Sequence, residues 1–125
     1  MYNMVKLHKM NFGDSTDIRT PEKTKMEVVD LGHGQFASKI ELQPGWKWSE
    51  CIKPIAGTHM CEKKHLGVVL SGRMHVLHED GTSMEVGPGD AYTIAKQHDA
   101  WIIGEETYVA YEFDSDAAQT LATNK

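Results

Sequence analysis

The sequence predicts an all-β domain, built as a single antiparallel β-barrel or jelly roll. Short runs rich in β-branched and aromatic residues are separated by Gly, Pro, Asn and Asp turn signals about every 8 to 12 residues. No amphipathic helical pattern lies between these runs. Closely spaced short strands joined by tight turns are typical of sandwiches and barrels.

The barrel is predicted to occupy residues 26–113. The run at 36–42 alternates apolar and polar residues, as a half-buried strand does, and 46–53 alternates in the same way. The Asp80-Gly81 pair predicts a hairpin turn. The predicted strands are 26–31, 36–42, 46–53, 66–70, 73–78, 83–86, 91–95, 101–103 and 107–113.

The two ends of the chain lack this strand pattern. Residues 1–25 are polar and unpatterned, which predicts an irregular N-terminal arm. Residues 114–125 are predicted to form a tail or a short helix over 114–122, with Asp114 or Ser115 as the N-cap.

Composition narrows the class of protein. A chain of 125 residues fits one domain with its own core. The net charge is −5 and no cluster of Lys and Arg forms a basic stripe, so nucleic acid is not an expected partner. Cys51 and Cys61 do not resemble a secreted disulfide framework, and the sequence has no signal-peptide pattern and no membrane-length apolar run. We therefore expect a cytoplasmic protein.

Four potential metal ligands stand close to one another in this pattern. His59, Cys61 and His65 lie within seven residues, and His98 follows the turn at 87–90. Strand residues i and i+2 point to one face about 6.5 Å apart, so His59 and Cys61 can approach one ion. Each residue alone is more often structural than a ligand. Together they predict a metal site, and the alternative is a barrel that keeps the histidines without an ion.

The spacing of these residues resembles the two motifs of the cupin family. The first motif is Gly, His-x-His, Glu and Gly, and the second is a Pro-Gly-Asp turn followed by a His. The matching residues here are Gly45, His59, Cys61, His65, Gly72, Pro88, Gly89, Asp90 and His98. The resemblance covers residues 34–113 and implies a small β-barrel with a metal at one end. Proteins of this kind also pair, so it implies a homodimer.

This chain departs from the cupin motifs at two ligand positions. Cys61 replaces the second His and His65 replaces the Glu, which gives a set of three His and one Cys. A thiolate among imidazoles favours zinc or iron, with copper or nickel as further candidates, and disfavours manganese. If all four side chains bound zinc, the site would be closed and structural.

Two functions follow from the resemblance and the residues. One is a metal-dependent enzyme of the oxygenase, isomerase or decarboxylase type, acting on a small organic molecule, with Glu50 or Tyr92 as the acid or base. The other is a non-catalytic binding or sensing module. In both, Trp46, Trp48 and Trp101 are expected to line the pocket.

Overall fold

The computed structural model describes residues 6–113, which are mostly β-structure. This confirms the predicted fold class. The described part contains a 3-10 helix at Phe12–Asp14, strands β1 (Asp17–Arg19), β2 (Thr24–Gly32) and β3 (Gln35–Leu42), helices α1 (Trp48–Cys51) and α2 (Lys53–Ala56), and strands β4 (His65–Ser71), β5 (Arg73–His78), β6 (Ser83–Val86), β7 (Ala91–Ile94), β8 (His98–Ile103) and β9 (Tyr108–Phe113).

The strands form two antiparallel sheets that pack in the manner of a jelly roll. The larger sheet has the order β1-β2-β3-β9-β4-β7 and the smaller has the order β6-β5-β8. The last strand, β9, therefore lies between β3 and β4 in the middle of the larger sheet. Side chains of β9 are brought beside those of β4 by this topology, although the two strands are far apart in sequence.

The apolar core forms where the inner faces of the sheets meet. On β9, Tyr108, Ala110 and Glu112 are buried, whereas Val109 and Tyr111 between them are only half-buried. This alternation follows the two-residue period of a strand with one covered face. Most buried positions are apolar, so a buried carboxylate at Glu112 requires partners.

The segment predicted as a strand over 46–53 is helical instead. Trp48, Cys51 and Ile52 are buried, and their spacing of three and four residues is that of one helix face. Pro54 occupies the first turn of α2, where its missing N–H costs nothing, and Gly57 ends α2 with φ of 73°. Within residues 6–113 no helix is long and apolar enough to cross a membrane.

The N-terminal arm is less irregular than its composition predicts. Strand β1 pairs with β2, and the Ser15 hydroxyl donates a hydrogen bond to the Val28 carbonyl at 2.6 Å. The Phe12 ring stacks on Tyr111 with centroids 5.3 Å apart. Pairing with the edge of the larger sheet supplies the backbone partners that a local sequence pattern cannot reveal. The helix predicted over 114–122 lies outside the described residues.

Candidate metal centre

Three of the four predicted ligands are brought together by three different chain segments. Cys61 forms an isolated bridge with His98, its N–H donating to the His98 carbonyl at 2.8 Å. His65 begins β4 and His98 begins β8. Gln97 precedes His98 with φ of 71°, a left-handed turn that starts β8 beside Cys61. The backbone pairing therefore fixes Cys61 against His98.

The ligand atoms of Cys61, His65 and His98 all lie within 4.8 Å of one another. The Cys61 Sγ is 3.9 Å from Nε2 of His65, and the two imidazole rings meet edge to face with centroids 5.1 Å apart. His98 and Cys61 are buried, and the His65 side chain is nearly so. Among the described residues, this is the one group in which three such side chains converge closely enough to share an ion.

Each histidine is held by a hydrogen bond on its other ring nitrogen. Nδ1 of His65 lies 2.8 Å from Oε1 of Glu112, and Nδ1 of His98 lies 2.7 Å from the Ala95 carbonyl oxygen. Partners of this kind orient a metal-binding histidine and select its tautomer. Both Nε2 atoms are thereby left as the ligand atoms of the group.

Glu112 is held in turn from its other side. The Tyr92 hydroxyl donates to Oε2 of Glu112 at 2.7 Å, and both side chains are buried. Burial, followed by the Glu112 carboxylate, raises the pKa of Tyr92, so this hydroxyl keeps its proton. Tyr92, Glu112 and His65 thus form a continuous hydrogen-bonded chain that ends at the ligand group.

The ligand group closes one side of an apolar pocket between the sheets. The pocket has a volume of about 50 Å³. Its lining consists of Thr24, Met26, Ile40, Leu42, Trp46, Trp48, Ile52, Cys61, His65, Met74, Ile94, His98, Ala100, Tyr108 and Glu112. Polar atoms therefore occur at a few places only on a mostly hydrocarbon wall, as in small-molecule sites.

The architecture is shared with solved structures of low sequence identity. No protein-family model matches the chain, and no curated protein matches its sequence. An RmlC-like cupin from Shewanella frigidimarina is 18% identical with a TM-score of 0.57, over 88% of this chain and 94% of that one. KdgF from Halomonas sp. is 22% identical with a TM-score of 0.54, over 78% of this chain and 85% of its own.

The chain has the cupin fold. Oxalate decarboxylase from Lactobacillus farciminis is also similar, with 16% identity and a TM-score of 0.63 over 90% of this chain. The chain spans only 33% of the length of that enzyme. At these identities the similarity shows a shared fold only, and it does not transfer the activities of the other proteins to this chain.

The electrostatics of this cupin domain suit a metal ion. Burial alone would raise the pKa of the Cys61 thiol, but hydrogen bonds with His65 and His98 lower it to about 6. Burial alone would lower the pKa of His65, but the Glu112 carboxylate and Cys61 raise it to about 10. The favoured state thus has a thiolate beside a protonated His65, so an incoming ion would displace the His65 proton.

The distance between the Cys61 and His65 ligand atoms is also close to that expected around a zinc ion. Ideal zinc bonds to sulfur and nitrogen place those two atoms about 3.5 Å apart in a tetrahedral site. The observed 3.9 Å between Cys61 Sγ and His65 Nε2 needs a shift of only a few tenths of an ångström. Cys61, His65 and His98 would therefore hold the ion, with Glu112 and the Ala95 carbonyl orienting the rings.

Several residues predicted for the site lie elsewhere. His59 is exposed and lies outside the ligand group, so the expected four-ligand set contains three members here. Glu50 is exposed on α1 and does not line the pocket. Trp101 lies on the outer face of the smaller sheet, stacked on His75. Trp46 and Trp48 line the pocket. Tyr92 lies behind Glu112 instead of facing the pocket.

Two residues that line the pocket were not among the predicted site residues. Glu112 and Tyr108 both line the pocket from β9. The available signal was the alternation Tyr108, Ala110, Glu112, which places a carboxylate on the apolar face of a strand. A charge at a core-facing position indicates a buried partner, and here that partner is His65.

Proposed function

We propose that this protein is a metal-dependent enzyme that acts on a small organic molecule in the pocket between its sheets. The observation that carries the proposal is the convergence of Cys61, His65 and His98 on an apolar pocket, with His59 outside the group. Three protein ligands leave one position of a tetrahedral ion open, which is the pattern of catalytic rather than structural sites. We expect zinc or iron, with copper or nickel as further candidates.

The ligands, Glu112 and the pocket lining have different roles in the proposed function. A bound zinc or iron ion would supply Lewis-acid polarisation of a substrate oxygen, or oxygen chemistry in the case of iron. Glu112 is a positioning residue, since its two oxygens contact His65 and Tyr92. Trp46, Trp48 and the aliphatic lining exclude water from the reacting molecule. The proposed reaction is of the oxygenase, isomerase or decarboxylase type.

The compartment we propose is the cytoplasm. Cys51 and Cys61 are both buried and unpaired. A reducing compartment preserves Cys61 as a ligand, because the thiolate is the form of cysteine that binds metal and oxidation consumes it. This feature supports the proposal without depending on the identity of the substrate.

Elemental analysis of purified protein, prepared without chelator, tests the metal site. We expect about one equivalent of transition metal per chain, and loss of most of it in His65→Ala and His98→Ala, since each removes one of three ligands. The matched control is His75→Ala, because His75 is a histidine of the same domain on the outer face. Metal-free wild-type protein, or equal loss in the His75 control, would contradict the assignment.

A non-catalytic binding module is the second candidate. The apolar lining of the pocket favours it, because few groups there can transfer a proton. The two functions differ in whether the ion exchanges its open ligand. Cobalt substitution followed by absorption spectroscopy distinguishes them: a spectrum that changes when azide is added indicates an open position, and an unchanged spectrum indicates a closed one.

A further inference from the structure

Three polar side-chain atoms among residues 6–113 are buried without a hydrogen-bond partner, and two of them lie on residues that line the pocket. The indole Nε1 of Trp48 and the hydroxyl of Tyr108 make no hydrogen bond within the described residues, and these side chains are only 3% and 2% exposed. Ser38 Oγ is the third such atom, but Ser38 does not line the pocket. Native proteins leave few buried donors unsatisfied, so each one requires an explanation.

Trp48 and Tyr108 both line the pocket that contains the ligand group. Trp46 lines the same pocket and provides the contrast, because its Nε1 donates to Thr24 Oγ1 at 3.0 Å. One indole of the pocket is thus satisfied by the protein and the other is not. The Tyr108 hydroxyl lies near that of Tyr92, yet has no partner in hydrogen-bonding geometry. The side chains that carry the two unsatisfied groups therefore both belong to the lining of the pocket.

We propose that Trp48 Nε1 and the Tyr108 hydroxyl donate hydrogen bonds to acceptor oxygen of a small bound molecule, a carbonyl or carboxylate compound with a short aliphatic body. An indole N–H can only donate, so its ligand must supply an acceptor. For comparison, an engineered protein cavity of about 150 Å³ is large enough to bind benzene. The present pocket of about 50 Å³ admits a molecule, or the end of one, of only a few non-hydrogen atoms. This inference rests on the proposed function, since it uses the same pocket.

Nuclear magnetic resonance of the indole N–H groups tests the proposal directly. The chain has three tryptophans, so three indole signals are expected, and Trp48→Phe assigns one of them. Acetate, acetamide and ethylammonium serve as probes of nearly equal size. We expect the Trp48 signal to move saturably with acetate, acetamide or both, while Trp101 on the outer face stays fixed. Acetate and acetamide distinguish a charged acceptor from a neutral one.

Ethylammonium cannot accept a hydrogen bond and should leave the Trp48 signal in place. No movement with either oxygen probe, or equal movement with ethylammonium, would overturn the proposal and leave buried water as the partner of the indole. The titration is run on chelator-treated and metal-loaded protein. If the proposed metal site is wrong, elemental analysis shows it. The response of the Trp48 signal in chelator-treated protein does not depend on the metal, so the two proposals can fail separately.

Tyr108→Phe supplies a second test that does not change the indole. We expect it to weaken binding of the effective probe about threefold to tenfold, the value of one hydrogen bond. Without probe its free energy of unfolding should equal that of the wild type, because no hydrogen bond is lost. Tyr111→Phe, on the outer face of the same strand, is the matched control. Loss of stability with unchanged probe binding would show a structural hydroxyl and overturn its assigned role.

Discussion

Two clusters that contain histidine lie on opposite faces of the smaller sheet and differ in what holds them. Inside, His65 and His98 have ring centroids 5.1 Å apart beside Cys61. Outside, His75 stacks on Trp101 with centroids 4.8 Å apart, and Lys47 Nζ lies 5.2 Å from the Trp101 ring centre. The ring distances are nearly equal. Closeness of rings therefore does not define a site.

The difference lies in burial and in the hydrogen bonds that burial requires. Each inner histidine has an oxygen partner on Nδ1, supplied by Glu112 or the Ala95 carbonyl, because an unpaired buried imidazole would be costly. These partners also aim the remaining nitrogens at one place. Solvent can satisfy the partly exposed outer rings, so nothing there needs to fix their orientation. The same requirement that stabilises the core also assembles the ligand group.

Gly67→Ala should give the largest effect of the changes that separate the two faces. A Cβ at Gly67 would lie 2.4 Å from the Tyr111 carbonyl oxygen and 2.8 Å from the Tyr92 hydroxyl. Because backbone cannot yield as a side chain can, we expect denaturant unfolding to show a loss of about 3 kcal/mol or more.

Leu66→Ala is the control for that change, on the outer face of the same strand, where Leu66 is 48% exposed. It should cost less than about 1 kcal/mol, as surface substitutions do. Equal losses for both variants would contradict the close packing of β4 against β9 behind the ligand group.

Glu112→Gln should have the next largest effect, and it acts on the ion rather than on the fold. The amide keeps the shape of the side chain but removes the charge that orients and polarises His65. We expect metal affinity, measured by chelator competition, to fall about 10- to 100-fold. Glu85→Gln is the control, because Glu85 pairs with Arg73 on the surface and should leave affinity unchanged. An unchanged affinity in Glu112→Gln would show that the carboxylate only fills space.

Much of the fold could be predicted because strands and tight turns leave patterns in short stretches of sequence. The alternation over 36–42 and the turn signals correspond to observed strands and turns, since the period of a strand and the needs of a tight turn involve near neighbours only. The strand prediction over 46–53 is wrong because Trp46 and Trp48 alternate with polar residues, as in a strand. The burial of Trp48, Cys51 and Ile52 instead follows a helical spacing. Both periods fit a short segment, and tertiary packing decides between them.

The site was predictable where spacing carried the information and not where pairing did. Motif spacing indicated Cys61, His65 and His98, but could not show that His59 would be exposed. Glu112 becomes a partner of His65 only because β9 pairs with β4, a contact between residues 47 positions apart. Residue type alone predicts that Trp101 lines the pocket, but the alternation of side chains along β8 places Trp101 on the opposite face from His98.

Lys47→Ala should give the smallest effect and defines the outer cluster. The Lys47 ammonium over Trp101 is a partly exposed cation–π contact, worth about 0.5 to 1 kcal/mol. We expect that loss in the free energy of unfolding, together with a change in Trp101 fluorescence and no change in metal content. Lys96→Ala, at an exposed position before β8, is the control and should alter none of the three. A loss of metal in Lys47→Ala would show that the two faces are coupled through β8, and the contrast between the clusters would no longer hold.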